Sequence, residues 1–308
     1  MPGLRLQWNT RPIVTIDDCR RIYAEELRLT ANIRSPALVE AFARVPREKF
    51  LGAGPWEITS ADDRRSWALG AMQAPNRQTD DPRDLYRDVL VVLDKTGDIN
   101  NGQPSALARW IDALDLKPGD RAYHLGCGVG YYTAIMAEAV GASGSVAGIE
   151  IHPDLAKRAK QNLSCYPNVT VHAGDGGAYD PGACDAMLIN AGVTHPIPLW
   201  LDRLRDGGRM VVPLTMAVTR TLGIGVMTKI VREHRGLSAQ MVTSVAIYSC
   251  RNVRDAQREP WLKAAMTSGV LMDLKSVRRD AHERVDTCVI HGHDVCLSSG
   301  EPSSRSSP

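Results

Sequence analysis

The sequence predicts an α/β fold: a doubly wound, mostly parallel sheet with an antiparallel edge, N-terminal helices before it and a C-terminal extension after it. Three observations carry this expectation. Between residues 104 and 215, short apolar runs of strand type alternate with helix-periodic runs. A glycine-rich turn, "HLGCGVGYYT" at 124–133, joins the first of these strands to a helix. Beyond residue 220, two long strand-type runs follow one another with no helical segment between them, the pattern of an antiparallel edge.

The elements follow in order. "TIDDCRRIYAEELRLT" begins with a Thr/Asp start signal and continues as an amphipathic helix. "SPALVEAFARVPREKF" has Ser35 as a cap, Pro36 at the first helical position and Pro46 as the stop. Residues 53–86 are polar and broken by Pro and Gly, which predicts a loop-rich insertion. In "PSALARWIDALDL", Leu107, Trp110, Ile111 and Leu114 share one helical face. "DRAYHLG" reads as a strand and "YYTAIMAEAVG" as a helix closed by Gly141. "GSVAGIEI" is a strand, and "HPDLAKRAKQNL" a helix opened by Pro153. "NVTVHAGDG" and "CDAMLIN" are strands, "PIPLWLDRLRDGG" a helix and "GRMVVPLT" a strand. "TLGIGVMTKIVRE" and "SAQMVTSVAIYSC" are the two late strands, "EPWLKAAMTSG" is a short helix, and the tail "SSGEPSSRSSP" has a disordered composition. The alternation makes the sheet Rossmann-like.

Composition narrows the function classes. Of 308 residues 44% are hydrophobic, enough for one large domain with additions or for two. Charge is nearly balanced, 37 Lys+Arg against 35 Asp+Glu, without the basic footprint of a nucleic-acid binder. No run reaches the roughly 18 apolar residues of a membrane span, and "MPGLRLQWNT" lacks a signal-peptide core. Neither nucleic acid nor membrane is therefore expected as a partner. Seven scattered cysteines, at 19, 127, 165, 184, 250, 288 and 296, predict reduced thiols and a cytoplasmic location.

In an open parallel sheet, ligands bind at the carboxyl ends of the strands. The turn holds Gly126, Gly128 and Gly130 there, where missing side chains let a ligand approach the backbone. A dinucleotide fingerprint would need its third glycine at Tyr131, and a P-loop would need Gly-Lys-Ser/Thr. Glu150 ends the next strand, placed to accept from ribose hydroxyls or simply to open a helix. Asp175 follows the third strand in "GDG", as a ligand contact or a turn residue.

The G-x-G-x-G spacing resembles motif I of the class I S-adenosyl-L-methionine (SAM) methyltransferases. More closely, "AFARVPREKFL", "LYRDVLVVL", "LGCGVGYYTAIMA", "NVTVHAGDG", "CDAMLINAG" and "LRDGGRMVVPL" resemble segments of the protein-L-isoaspartate O-methyltransferase family. The likeness spans about residues 35–225, with a gap at the insertion. It implies SAM as cofactor and S-adenosyl-L-homocysteine as product. It also implies cofactor contacts at Gln103, His124, Gly126, Cys127, Gly128, Gly130, Tyr131, Glu150, Ile151, Gly174, Asp175, Gly176, Asn190 and Ala191. The turn would pass the amino-acid end of SAM, and Asp175 would meet the adenine amino group. Residues 1–98 then form a substrate-side region, 99–250 the SAM-binding core and 251–308 the extension.

Two departures concern the site. The family's Thr-Ile-Ser-x-Pro motif, whose serine lies at the methyl acceptor, aligns with "NNGQP" and places Gly102 at the serine. Where the family carries an acid before the turn, this chain has His124. The reacting centre is expected at Asn100, Asn101, Gly102 and Gln103, with Asn190, Gly192, Thr194 and His195 following the fourth strand. An isoaspartyl carboxylate is ionised at neutral pH and needs no general base. For an amine or hydroxyl acceptor, His195 would serve as one, or else it caps a helix. Tyr131 or Tyr132 could face the sulfonium through a ring or pack on the sheet, and Trp56 and Trp67 could cover the cleft or fill the core. "HGHDVC" offers His291, His293 and Cys296, with Cys288 nearby; without a partner cluster it reads as a strand, and no metal is expected. The acceptor is thus a peptide or protein carboxylate or, on the same frame, another peptide or small molecule. A non-catalytic SAM-binding protein and an NAD-dependent dehydrogenase are the remaining readings, and Tyr131 disfavours the dehydrogenase.

Overall fold

The computed structural model of the chain describes residues 14–60, 76–94 and 99–302. Helix α1 (Ile16–Thr30) starts at a reciprocal cap: the Asp18 N–H donates to the Thr15 hydroxyl and the Thr15 N–H to the Asp18 carboxylate, both at 3.1 Å. Ser35 caps α2 (Pro36–Arg44) by accepting from the Leu38 N–H at 3.3 Å. Pro46 separates α2 from α3 (Arg47–Leu51).

The insertion is more ordered than its composition predicts. Its described part contains β1 (Trp56–Ser60) and β2 (Arg77–Thr79), which join β3 (Val89–Asp94) and β4 (Ile99–Asn100) in an antiparallel sheet of order β2-β1-β3-β4. These strands are too short to show a period in a Gly- and Pro-rich context. Trp56 begins β1 and packs partly buried against the core, whereas Trp67 lies outside the described residues.

The alternating region folds as its pattern predicts. In order come α4 (Pro104–Ala113), β5 (Arg121–Leu125), α5 (Tyr131–Val140), β6 (Ser145–Glu150), α6 (Pro153–Asn162), β7 (Val169–Ala173), β8 (Cys184–Ile189), α7 (Pro198–Arg203) and β9 (Leu204–Ala217). Strands β7-β6-β5-β8-β9 are parallel neighbours. The order reverses between β5 and β8, so a crevice opens at their carboxyl ends. β10 (Leu222–Glu233) runs antiparallel to both β9 and β11 (Gly236–Tyr248).

Three expectations change. The helix after β8 stops at Arg203, because Leu204 already pairs with Cys184 and Gly207, at φ +74°, falls in the following register shift. β10 and β11 are not the edge: past α8 (Glu259–Ser268), β12 (Ser276–Arg278), β13 (Cys288–Ile290) and β14 (Cys296–Ser298) continue the sheet in the order β11-β12-β14-β13. The Ser-rich tail is accordingly ordered at its start, where the Ser299 N–H donates to the Thr287 carbonyl at 2.9 Å.

Strand alternation divides the core between the two faces of the sheet. Ala122, Ala186, Leu188 and Val211 point toward α1, α2, α4 and α5. Tyr123, Met187, Ile189, Met210 and Val212 point to the other face, with Trp200 of α7 and Leu262 of α8. The predicted stripe of α4 is buried throughout.

One buried charge ties the N-terminal helices to this frame. Arg47 is fully buried. Its guanidinium donates to the carbonyls of Leu85 at 2.6 Å, Arg87 at 3.1 Å and Val89 at 2.8 Å, and lies 5.9 Å from the Tyr131 ring centroid. Its backbone N–H donates to the Tyr86 hydroxyl at 3.0 Å. The segment so fixed carries Asp88, which accepts from the Ser105 N–H at 2.8 Å, the Ser105 hydroxyl at 2.6 Å and the Gln103 amide at 2.9 Å. Asp88 is therefore a long-range cap on the start of α4. Arg47→Met should cost about 3 kcal/mol or more of stability by taking the donor from the buried Leu85 carbonyl and from the half-buried carbonyls of Arg87 and Val89. Denaturant unfolding checks this, and a loss below about 1 kcal/mol would mean that water replaces the guanidinium.

Candidate functional site

The loops that follow β5, β6, β7 and β8 meet at the switch-point crevice and hold one another through the backbone. The Gly126 and Cys127 N–H groups donate to the Ile149 carbonyl, Gly174 N–H to the Glu150 carbonyl, and Asn190 N–H to the Leu125 carbonyl. The Asn190 side-chain amide donates to the Gly126 carbonyl at 3.2 Å.

Within the turn the glycines have different tasks. A Cβ on Gly126 would lie 3.0 Å from the Asn190 carbonyl oxygen, and one on Gly130 would lie 2.6 Å from Leu163. These two serve close packing. Gly128, at φ +57°, has open space where its side chain would be, and its N–H donates to Glu150 at 2.8 Å. The other Glu150 oxygen accepts from the His152 N–H at 2.9 Å. The carboxylate is thus locked in orientation with only one of these bonds on each oxygen, so lone pairs are left for a donor pair such as a vicinal diol. Ile151 beside it is partly exposed.

Asp175 is fixed in a similar way, by the Gly177 N–H at 2.8 Å and the Asn252 amide at 3.1 Å. Gly176 is buried, and its carbonyl accepts from the Tyr123 hydroxyl at 3.3 Å and from the Trp200 indole at 3.2 Å. Gly174 makes the bend at φ +149°.

The segment after β11, which lies in the expected extension from residue 251 onward, reaches back into this cluster. Cys250 N–H donates to the Gly192 carbonyl at 2.8 Å. Arg254 donates to the Thr215 hydroxyl and carbonyl and pairs with Glu259. The Asp255 N–H donates to the Thr194 hydroxyl at 3.0 Å. Asn252, Arg254 and Asp255 carry no local motif, and only the closure of the sheet brings them here.

Asn100, Asn101, Gly102 and Gln103 form the link between β4 and α4. The Asn100 amide donates to the Tyr248 hydroxyl at 3.1 Å, and its carbonyl oxygen accepts from the Gly102 N–H at 2.8 Å. The Tyr132 hydroxyl donates to the Gly102 carbonyl at 3.3 Å. Asn101 is buried, with its amide nitrogen unpaired. Gly102 sits at φ +77°, and a Cβ there would lie 3.0 Å from Leu107 Cδ2. Of Tyr131 and Tyr132, the one that touches this link is therefore Tyr132.

Several expected side chains turn away from the crevice. The Tyr131 ring packs against Phe42, Phe50 and Tyr132, because the first residue of α5 faces the N-terminal helices. Its ring is not placed for a cofactor contact. Cys127 is buried beside Gly148, and burial pushes its thiol well up. The His124 ring points into the layer between β5 and α5, where Nδ1 lies 2.9 Å from the Thr133 hydroxyl. This fully buried imidazole is not presented to the crevice. His195 is nearly buried, with Nδ1 2.9 Å from the Thr194 hydroxyl. Burial, with Arg258 adding repulsion, lowers its pKa to about 4. Of "HGHDVC", His291 and Cys296 meet Cys288 and His282, and His293 is not in that group.

These two buried histidines set a pH dependence. Burial lowers the His124 pKa to about 3 and the His195 pKa to about 4, while in the unfolded chain each protonates near pH 6.5. Below about pH 6.5 the unfolded state therefore binds more protons. Stability should be full above that pH and fall as pH drops toward the folded values, by up to about 1.4 kcal/mol per pH unit for each histidine. His124→Asn should remove one proton's share of this slope between pH 6 and 4, measured by denaturant unfolding across pH. An unchanged slope would show that His124 is not held neutral.

Comparisons with known proteins identify the family. The model of the family "Protein-L-isoaspartate(D-aspartate) O-methyltransferase" matches residues 64–258. Protein-L-isoaspartate O-methyltransferase 1 of Archaeoglobus fulgidus is 35% identical over 207 residues, covering 64% of this chain and 80% of that protein. The protein of the same activity name from Ignicoccus hospitalis is 37% identical over 147 residues, covering 46% and 68%. Among solved structures, a protein-L-isoaspartate O-methyltransferase superposes with TM-score 0.61 at 22% identity, over 79% of this chain and 69% of that one. A beta-aspartate methyltransferase from Plasmodium falciparum in complex with S-adenosyl-L-homocysteine superposes with TM-score 0.54 at 18% identity, over 75% and 98%. Both structures share the fold.

Proposed function

The chain belongs to the protein-L-isoaspartate(D-aspartate) O-methyltransferase family, and from that premise we propose that it methylates an isoaspartyl-type carboxylate in a peptide or protein through the crevice at the ends of β5–β8. Membership makes it a SAM-dependent methyltransferase, with S-adenosyl-L-homocysteine as product.

The observation that carries the site assignment is Glu150, held by the N–H groups of Gly128 and His152 with lone pairs to spare beside an open glycine. Such a carboxylate fits a ribose diol. Asp175, preset by Gly177 and Asn252, fits the adenine amino group. The 126–130 turn, Gly174, Gly176, Asn190 and Ala191 line the same loop cluster, and Ile151 follows Glu150 at its exposed rim.

When bound, SAM would supply an electrophilic methyl group, which the acceptor oxygen would take with S-adenosyl-L-homocysteine as the leaving group. A carboxylate acceptor is already anionic, so the protein need not move a proton. Its task is orientation and the exclusion of water. Asn100, Asn101 and Gly102 supply amides and a backbone carbonyl on the acceptor side, and Gln103 ties that link to Asp88. His195 is read as shaping the 190–195 loop through Thr194 rather than as a base. We place the catalytic core at 99–250, with 1–98 on the substrate side and 251–308 as an extension whose first residues complete the site. Seven free cysteines support a cytoplasmic setting, and among the described residues no helix is long and apolar enough to cross a membrane.

A second reading, another peptide or small-molecule acceptor on the same frame, is favoured by one observation: Gly102 offers no hydroxyl, and its left-handed backbone disfavours one.

Labelled SAM with an isoaspartyl peptide and its aspartyl twin separates the two. Base-labile label on the isoaspartyl peptide alone is the expected result, and background label on both moves the assignment to the second reading. Glu150→Gln should weaken S-adenosyl-L-homocysteine binding about tenfold or more, as charged hydrogen bonds become neutral ones. Calorimetric titration measures this, and an unchanged Kd would displace the ribose from Glu150.

A further inference from the structure

We propose that the C-terminal extension holds a structural zinc ion between His282, Cys288, His291 and Cys296. The four ligand atoms lie within 4.8 Å of one another, although the residues come from the β12–β13 loop, from β13, from the position after it and from β14. His282 Nε2 is 3.4 Å from the Cys288 sulfur. Zinc bond lengths of about 2.0–2.3 Å give a tetrahedron with edges of about 3.4–3.8 Å, so this pair already has the required spacing.

The surroundings are those of a ligand set. His282 Nδ1 lies 2.8 Å from the Asp280 carbonyl. That contact assigns the proton to Nδ1 and leaves the Nε2 lone pair toward the cluster, as outer-shell carbonyls do at metal sites. The Val285 N–H donates to the Cys288 sulfur at 3.4 Å. The His291 ring stands at 76° to that of His282, with centroids 5.1 Å apart, and its Nδ1 is buried without a hydrogen-bond partner. Both cysteines are buried. Two thiolates and two imidazoles in a tetrahedral array select zinc among common metals. Four protein ligands leave no open position, so the ion's role is structural rather than catalytic.

The fold has a use for it. β12, β13 and β14 have three residues each, short for an autonomous edge. The ion would cross-link β13, β14 and the loop before them. The 291–296 turn it closes carries Asp294, which pairs with buried Arg258. Arg258 also meets Asp255 at 3.1 Å, the residue bonded to Thr194.

The test is metal analysis of the untagged full chain, reduced and purified from zinc-supplemented medium. About one zinc per chain is expected, lost in Cys288→Ser and in His282→Gln and kept in Cys165→Ser, which removes an exposed thiol elsewhere. If the serine variant does not fold, wild-type protein reconstituted with cobalt(II) should show tetrahedral visible bands and thiolate charge transfer, and chelation should lower Tm. Reduced wild-type protein with neither zinc nor cobalt bands overturns the proposal. So does a Cys288–Cys296 disulfide in its place, or zinc retained in full by folded His282→Gln and Cys288→Ser.

Discussion

A single guanidinium organises the segments packed on the N-terminal side of the crevice. Among the described residues no carboxylate is hydrogen-bonded to Arg47. Its charge is met by three main-chain carbonyls and the face of Tyr131, a forked donor geometry that lysine lacks. Through those carbonyls the third helix dictates the path of residues 85–89 and so the position of Asp88. Asp88 in turn sets the start of α4 and the 100–103 link above the crevice. The short "VPREKF" segment thereby governs loop geometry more than forty residues away.

The side formed by the strand ends rests on a different principle. Its loops are joined by main-chain bonds between consecutive strand ends, and the carboxylates of Glu150 and Asp175 are oriented by N–H groups rather than by cations. The two sides meet at Tyr132, Tyr248 and Asn100, from three separate elements.

Sequence reading reached the parts of the molecule that local chemistry encodes. The glycine spacing, the acid at the end of the second core strand and the Asp-Gly turn each require particular residues at fixed offsets along one short stretch. The helix starts at Thr15, Ser35 and Pro153 were legible for the same reason. What escaped depends on closure of the sheet. Asn252, Arg254 and Asp255 matter only because β11 delivers them beneath the post-β8 loop. His282 stands outside the "HGHDVC" string that drew notice, and three short strands bring it there. Tyr131 and His124 were assigned by motif position, but the pleat and the helix face decide where a side chain points. Strands β1 and β2 were hidden by the Gly and Pro residues around them.

The left-handed backbone at Gly102 makes the position one-sided toward substitution. A serine there would occupy φ +77° beside Leu107, a conformation that costs an L-residue about 1–2 kcal/mol. A hydroxyl at this point therefore demands a change of backbone as well as of side chain, whereas the flanking Asn100 and Asn101 already carry polar groups on ordinary backbone.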